Sequence, residues 1–232
     1  MSRTLIIFDI DGTLVYSNRV DSLCFSSSYE EVFGRTFPSI DWRVFPHVTD
    51  HTIFRTAFHR EFGHYPDEKE EQIFQDHFVQ KIQLKRQTNP EEFHQVPFAK
   101  ETVNKLLSNE NFLCGIATGG WRRPALTKLD FVGIPTDQLI MSFADGKDRR
   151  EDIVGEVIDL AKKQYTFIDR IVYVGDAIWD VQTTRNMQIP LVGIRREGDG
   201  DILRKEGVEW ILQDYQDYDY FLKAVREALP PS

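Results

Sequence analysis

The sequence is short of several things that would mark other classes of protein. Cys24 and Cys114 are its only cysteines, and Cys114 sits in an apolar run where a buried thiol is the ordinary reading, so a reduced cytoplasmic setting is expected rather than a disulfide scaffold. Positive charge is not in excess: the net charge is −9. That argues against a general nucleic-acid binder, which needs a basic face to neutralise phosphates. Long hydrophobic runs are missing too. The first apolar stretch, Leu5 to Phe8, is broken at once by Asp9, and no other run is long enough for a signal peptide or a membrane span. There are no repeats and no low-complexity segments.

What is present is a chain of 232 residues, enough for one good core and a second, smaller unit. Leu5-Ile6-Ile7-Phe8 followed by Asp-Ile-Asp-Gly reads as a buried strand stopping in a glycine-turned loop. From Asn18 to about Asn89 the pattern is helical, with Ile73-Phe74, His77-Phe78 and Lys81-Ile82 recurring every four residues and Gly34, Gly63, Pro66 and Asn89-Pro90 as punctuation. After Pro97, apolar strand-like runs alternate with helical faces: Phe112 to Ala117, Gln138 to Ser142, Ile171 to Val174, Leu191 to Ile194 and Trp210 to Leu212. Such alternation predicts a parallel sheet covered on both faces. A last helix is expected from about Asp217 to Leu229, stopped by Pro230-Pro231. The layout predicts a core of residues 1–16 and 91–232 and an inserted helical domain over 17–90, placed above the carboxyl ends of the strands as a lid.

Unusual groups gather in three loops at predicted strand ends. Asp9 and Asp11 flank Ile10 before Gly12, and two close carboxylates repel unless a cation or a shared proton compensates them. Thr118-Gly119-Gly120 offers a hydroxyl and glycine amides that suit phosphate oxygens. Gly175-Asp176, with Asp180 four residues on, adds two further carboxylates. An all-oxygen donor set fits Mg²⁺ better than Zn²⁺.

At these residues the sequence resembles the haloacid dehalogenase superfamily. Its first motif, DxDG[TV], is matched by Asp9-Ile-Asp-Gly-Thr13, its second by Thr118 and its fourth, GDxxxD, by Gly175-Asp-Ala-Ile-Trp-Asp180, in the family's order. The helical insertion after the first motif looks like the subgroup with a C1 cap. The resemblance implies a Rossmann-like α/β core with strand order 3-2-1-4-5 plus one further strand. It also implies roles: Asp9 as nucleophile, Asp11 as general acid and then base with its carbonyl on the metal, and Asp176 as the third metal ligand. Asp180 would support the site from behind the ligands. Thr118, Gly119 and Gly120 would bind the transferring phosphoryl group. The third motif departs from the usual Lys-before-Pro pattern. Here the region reads Asp145-Gly-Lys-Asp-Arg-Arg-Glu-Asp-Ile153, so the cation that offsets transition-state charge could be Lys147, Arg149 or Arg150, with Arg150 favoured by the helix near Ile153 and Lys147 close behind.

Plainer readings stand beside these. Asp9 and Asp11 could be turn aspartates, Thr118 a helix cap and Asp180 a cap or ion-pair partner. His47, His51, His59 and His64 match no tight ligand spacing and read as ordinary surface or core histidines. Thr49 or Asp50 could touch substrate, though a helix cap by Asp50 fits as well. Trp121, Arg122 and Arg123 read as a solvated first turn, although an arginine there could help recognise an anionic substrate, and Tyr215, Tyr218 and Tyr220 read as packing and surface residues. The expected function is Mg²⁺-dependent hydrolysis of a small phosphate monoester by a cytoplasmic monomer, similar to phosphoglycolate phosphatases, with no nucleic-acid or membrane partner. A phosphomutase of the β-phosphoglucomutase kind and a non-catalytic relative that binds a phosphorylated ligand or a protein are the alternatives. A 2-haloacid dehalogenase fits less well, because that chemistry does not use the metal site.

Overall fold

The computed structural model describes residues 3–196 and 200–232. In chain order its elements are β1 (Thr4–Phe8), β2 (Val15–Tyr16), α1 (Asn18–Phe33), α2 (Asp50–Phe62), α3 (Glu68–Thr88), β3 (His94–Gln95), α4 (Ala99–Leu107), β4 (Phe112–Ala117) and α5 (Arg122–Val132). There follow β5 (Ile140–Ser142), α6 (Arg150–Gln164), β6 (Arg170–Gly175), α7 (Ile178–Met187), β7 (Leu191–Ile194), α8 (Asp201–Lys205), β8 (Trp210–Leu212) and α9 (Tyr218–Glu227).

Six of the strands form one parallel sheet in the order β5-β4-β1-β6-β7-β8. Numbered among themselves these strands run 3-2-1-4-5-6, which is the expected order with its one further strand at the edge. The run Leu5 to Phe8 is apolar throughout because both faces of a central parallel strand are covered. Leu5 and Ile7 point into a cluster with Val154, Val157 and Ala161 of α6. Ile6 and Phe8 point the other way, against Val103, Leu106, Phe221 and Val225. Register is what positions the chemistry: Phe8 lies opposite both Ile116 of β4 and Val174 of β6. The three central strands therefore end at one level, and the loops that follow them emerge side by side.

The helices α1 to α3 form a cap whose interior is aromatic. Phe54 and Phe74 stack at 4.6 Å, and Phe25 meets Phe37, Trp42, Phe74 and Phe78 edge-on. Trp121, wholly buried at the head of α5, packs 5.8–6.0 Å from Phe25, Phe54 and Phe74. A core residue thus completes the cap's apolar cluster, whereas the sequence suggested a solvated turn there. The insertion is also less helical than its pattern predicts. Between Gly34, which ends α1 in the left-handed region, and Thr49, which caps α2, there is only one short 3₁₀ turn at Trp42–Val44. Phe37, Trp42 and Phe45 anchor that stretch to the cluster without needing helical hydrogen bonds.

The chain crosses between core and cap twice, and the crossings pair with each other: Val15 lies opposite Gln95 and Tyr16 opposite His94 in an antiparallel ladder. At the far end, α9 stops at Glu227, two residues short of the expected end. Ala228 is already extended, and Leu229 precedes a proline, which disfavours the helical region. Among the described residues no helix is long and apolar enough to cross a membrane.

Candidate active site

The loop after β1 turns within four residues. Gly12 has φ +83° and donates to the Val15 carbonyl, while Leu14 donates back to Ile10. A side chain at Gly12 would be strained in that conformation, and its Cβ would overlap the Asp176 carboxylate. The turn presents Asp9 and Asp11 to a cavity of about 410 Å³ between core and cap. Thr118, Gly119, Gly120, Arg150 and Trp179 line it from the core, and Asn18, Arg19, Asp21, Trp42, Thr49 and Asp50 from the cap side.

Asp9 is 4% exposed. Its Oδ2 lies 3.2 Å from Arg150 Nη2, while its Oδ1 is buried with no hydrogen-bond partner. Carboxylate oxygens of Asp9, Asp176 and Asp180 lie within 4.8 Å of one another. Asp176 is steered by Thr13, whose hydroxyl donates to Oδ1 at 3.4 Å, and by Asn18, which donates to Oδ2 at 3.3 Å. Asp180 has both oxygens in use: Oδ2 accepts from the amides of Asp176 and Ala177 at 3.0 Å, and Oδ1 accepts from Arg150 at 2.6 Å. Burial pushes the Asp9 carboxyl up to about 7, with Arg150 opposing and Asp180 and Asp11 reinforcing. Burial likewise raises Asp176 well above the usual carboxylate range, and the neighbouring Asp180 and Asp9 add to it. An orphaned oxygen on Asp9 beside a second buried carboxylate, with oxygen donors only, is a setting that a hard divalent cation fits.

The cation beside Asp9 is Arg150. It is 7% exposed and stands at the start of α6, where Nη2 also meets Tyr173 Oη at 3.0 Å. Tyr173 in turn donates to the Ala117 carbonyl at 2.9 Å. Gly119 must be glycine because an added Cβ would come within 2.5 Å of Arg150 Nη1 and 2.6 Å of the Val48 carbonyl. The other candidate cations point elsewhere. Lys147 pairs with Glu156 at 2.9 Å, and Arg149 pairs with Glu151 at 3.4 Å on the surface. Thr118 is buried at the pocket floor and accepts from Gly120 N at 3.2 Å.

Asp11 faces a different partner. Lys128 Nζ donates to its Oδ1 at 2.7 Å and its Oδ2 at 2.6 Å, and Ser17 Oγ donates to the same carboxylate. Sequence reasoning missed Lys128. The available signal was its place beside Ala125 and Leu129, on the apolar stripe of α5.

The remaining candidates separate cleanly. Thr49, not Asp50, caps α2, accepting from Thr52 N at 3.2 Å. Asp50 accepts instead from Trp121 N at 2.9 Å, while its own amide donates to Gly119 O at 2.7 Å, so the start of α2 docks on the glycine loop. Arg123 pairs with Asp76 of α3, and Arg122 lies over the Phe143 ring at 5.2 Å. His51 faces Glu71 at 3.4 Å, and His64 meets the Tyr65 carbonyl at 3.0 Å. Tyr215 is buried and donates to Thr13 O at 3.1 Å, whereas Tyr220 is exposed.

Residues 6–194 match the family model described as haloacid dehalogenase-like hydrolase. No curated protein matches the sequence. Among solved structures, a hydrolase from Pseudomonas syringae superposes with a TM-score of 0.66 at 20% identity, covering 96% of this chain and 99% of that one. A provisionally assigned β-phosphoglucomutase from Bacteroides vulgatus gives 0.64 at 18%, over 98% and 90%. A predicted phosphoglycolate phosphatase from Haemophilus somnus gives 0.61 at 17%, over 95% and 98%. At these identities the likeness is one of fold.

Proposed function

The chain belongs to the haloacid dehalogenase-like hydrolases, and from that premise we propose that it is a Mg²⁺-dependent phosphatase that cleaves a small phosphate monoester through a phosphoaspartyl intermediate on Asp9. One observation carries the reading: Asp9, which has an unpartnered buried oxygen, lines one pocket with Arg150 and Thr118 and has a carboxylate oxygen within 4.8 Å of one of Asp176. In this reading residues 17–90 form the cap and residues 1–16 and 91–232 the core. Cys24 and Cys114, both buried free thiols, suit a reducing cytoplasm.

Asp9, the Asp11 carbonyl and Asp176 would hold Mg²⁺, which when bound supplies positive charge for the phosphoryl oxygens and keeps Asp9 ionised. The orphaned Asp9 Oδ1 supports that assignment. Asp180 is already committed to two amides and Arg150, and so braces the others. The remaining steps belong to the chain itself. Asp9 bonds to phosphorus as the ester bond breaks, and Asp11, having taken up a proton as the substrate enters, gives it to the departing oxygen. Arg150 stays on Asp9 and, with Thr118 and the glycine amides, offsets the charge that spreads over the phosphoryl oxygens. Asp11, now a carboxylate, takes a proton from water, which attacks the acyl phosphate and frees Asp9. The cap keeps bulk water from the pocket while the intermediate exists.

The test is phosphate release from p-nitrophenyl phosphate and a panel of sugar phosphates, phosphoglycolate and nucleotides, with and without Mg²⁺. Asp9→Asn is expected to lower kcat on the order of a thousandfold or more, as losing a nucleophile does. An Asp9→Asn protein as fast as its parent overturns the reading. Phosphate freed in proportion to substrate consumed distinguishes hydrolysis from transfer to a sugar.

A further inference from the structure

Lys128 is 2% exposed. Removing an ammonium from water costs several kcal/mol unless it is fully paired. Here the pairing is complete. The group has three N–H donors, and they meet Asp11 Oδ1, Asp11 Oδ2 and Asp21 Oδ1, the last at 2.8 Å. Burial opposes the charge, but Asp11 and Asp21 outweigh it and hold the lysine above its ordinary pKa.

The two carboxylates belong to different parts of the molecule. Asp11 stands in the loop after β1, in the core, whereas Asp21 stands in the first turn of α1, in the cap. Ser17, the residue on which α1 begins, hydrogen-bonds the Asp11 carboxylate and accepts from Asp21 N at 2.8 Å. A helix of the core and the first turn of the cap therefore grip one carboxylate together, and the Lys128 ammonium reaches the carboxylates of both acids. An ion pair that merely stabilised packing would have no reason to include the acid–base residue at one end and the crossing into the cap at the other. Lys128 also sits where Ala125 and Leu129 pack, a position that an aliphatic residue would fill without any need for compensating acids.

We propose that Lys128 is a positioning residue: its ammonium holds the Asp11 carboxylate at the pocket and, through Asp21, makes that hold depend on α1 lying against the core. The proposal rests on the phosphatase reading above. Without the ammonium, Asp11 and Asp21 face each other as like charges. Either Asp11 then leaves its place or α1 lifts, and both outcomes reach the proton transfers before they reach substrate affinity.

Steady-state hydrolysis of p-nitrophenyl phosphate with Mg²⁺ tests this, with thermal melting of each variant as the control for folding. Lys128→Met is expected to lower kcat roughly ten- to a hundredfold, the scale of a misplaced acid–base group, with KM and inhibition by inorganic phosphate within about twofold of the parent. Asp21→Asn, which leaves the lysine in place, is expected to lower kcat about three- to tenfold. The double variant should be faster than Lys128→Met alone, because the unpaired Asp21 charge has gone. A parent-like kcat in either single variant overturns the proposal, and so do additive losses or a loss that follows the melting temperature. If Lys128→Met does not fold, Asp21→Asn decides by the same kcat and KM criterion. A parent inert with Mg²⁺, or an Asp11→Asn protein as active as the parent, overturns the phosphatase reading and this proposal with it. An active parent, an inert Asp11→Asn and an unimpaired Lys128→Met overturn this proposal alone.

Discussion

Two clusters of acids flank one pocket, and their carboxylate oxygens are partnered in opposite ways. Around Asp9, three carboxylates are buried together: Asp9 and Asp180 share the guanidinium of Arg150, Asp176 meets Arg195 at 3.8 Å, and an Asp9 oxygen is left without a partner. Around Asp11, the ammonium of Lys128 spends every donor on two carboxylates, and Ser17 adds a further hydrogen bond. Asp9 and Asp11 are separated by one residue, yet the turn at Gly12 leaves one with an unpartnered oxygen and gives the other donors on both of its oxygens. The first fits the divalent cation proposed for it, and the second holds the Asp11 carboxylate by hydrogen bonds to both oxygens.

The largest expected effect that would break this comparison is at Arg150. Arg150→Met should destabilise the fold by about 3–5 kcal/mol, because it strands buried carboxylates. Activity should fall roughly a hundredfold or more, because charge stabilisation is lost. Urea unfolding and p-nitrophenyl phosphate hydrolysis measure the two losses, and a variant as stable as the parent would mean that the acids around Asp9 do not need the guanidinium.

Metal and pH sharpen the contrast next. In the metal-free protein the Asp9 carboxyl is raised from 3.8 to about 7, so the native state holds that proton more tightly than the unfolded chain does. The resulting stabilisation is present at pH below 3.8 and is lost as the pH rises through about 7. The melting temperature of the metal-free protein should therefore fall across that window. Mg²⁺ should raise it more at pH 7.5 than at pH 5, since the cation takes the proton's place. An equal Mg²⁺ shift at both pH values would contradict the division between the two clusters.

The smallest effect is expected at Lys147. Its partner Glu156 is exposed, so Lys147→Ala should change stability by less than about 1 kcal/mol and activity by less than about twofold. A large loss there would move the site's cation away from Arg150.

Much of this was legible in the sequence because it is encoded locally. A short apolar run ending in Asp-x-Asp-Gly-Thr must be a buried strand followed by a turn, and alternation of such runs with helical faces implies a parallel sheet. Thr118 and Asp176 could be placed at strand ends by the same logic. The choice among Lys147, Arg149 and Arg150 was not local. Arg149 has extended backbone as the cap of α6 and points to Glu151 at the surface, while Arg150, one residue on, turns inward to Asp9 and Asp180. Trp121 was equally hidden, since the apolar partners that bury it come from α1, α2 and α3.

By itself the sequence determined the α/β core, the helical insertion and the carboxylates at the strand ends, because strand period, glycine turns and spacing act between near neighbours. Only the tertiary structure decided which cation serves which acid, how Lys128 binds Asp11 to Asp21, and how the cap seats on the glycine loop. Those matters depend on side chains far apart in the chain meeting at distances of a few ångströms, where burial makes each charge demand a specific partner.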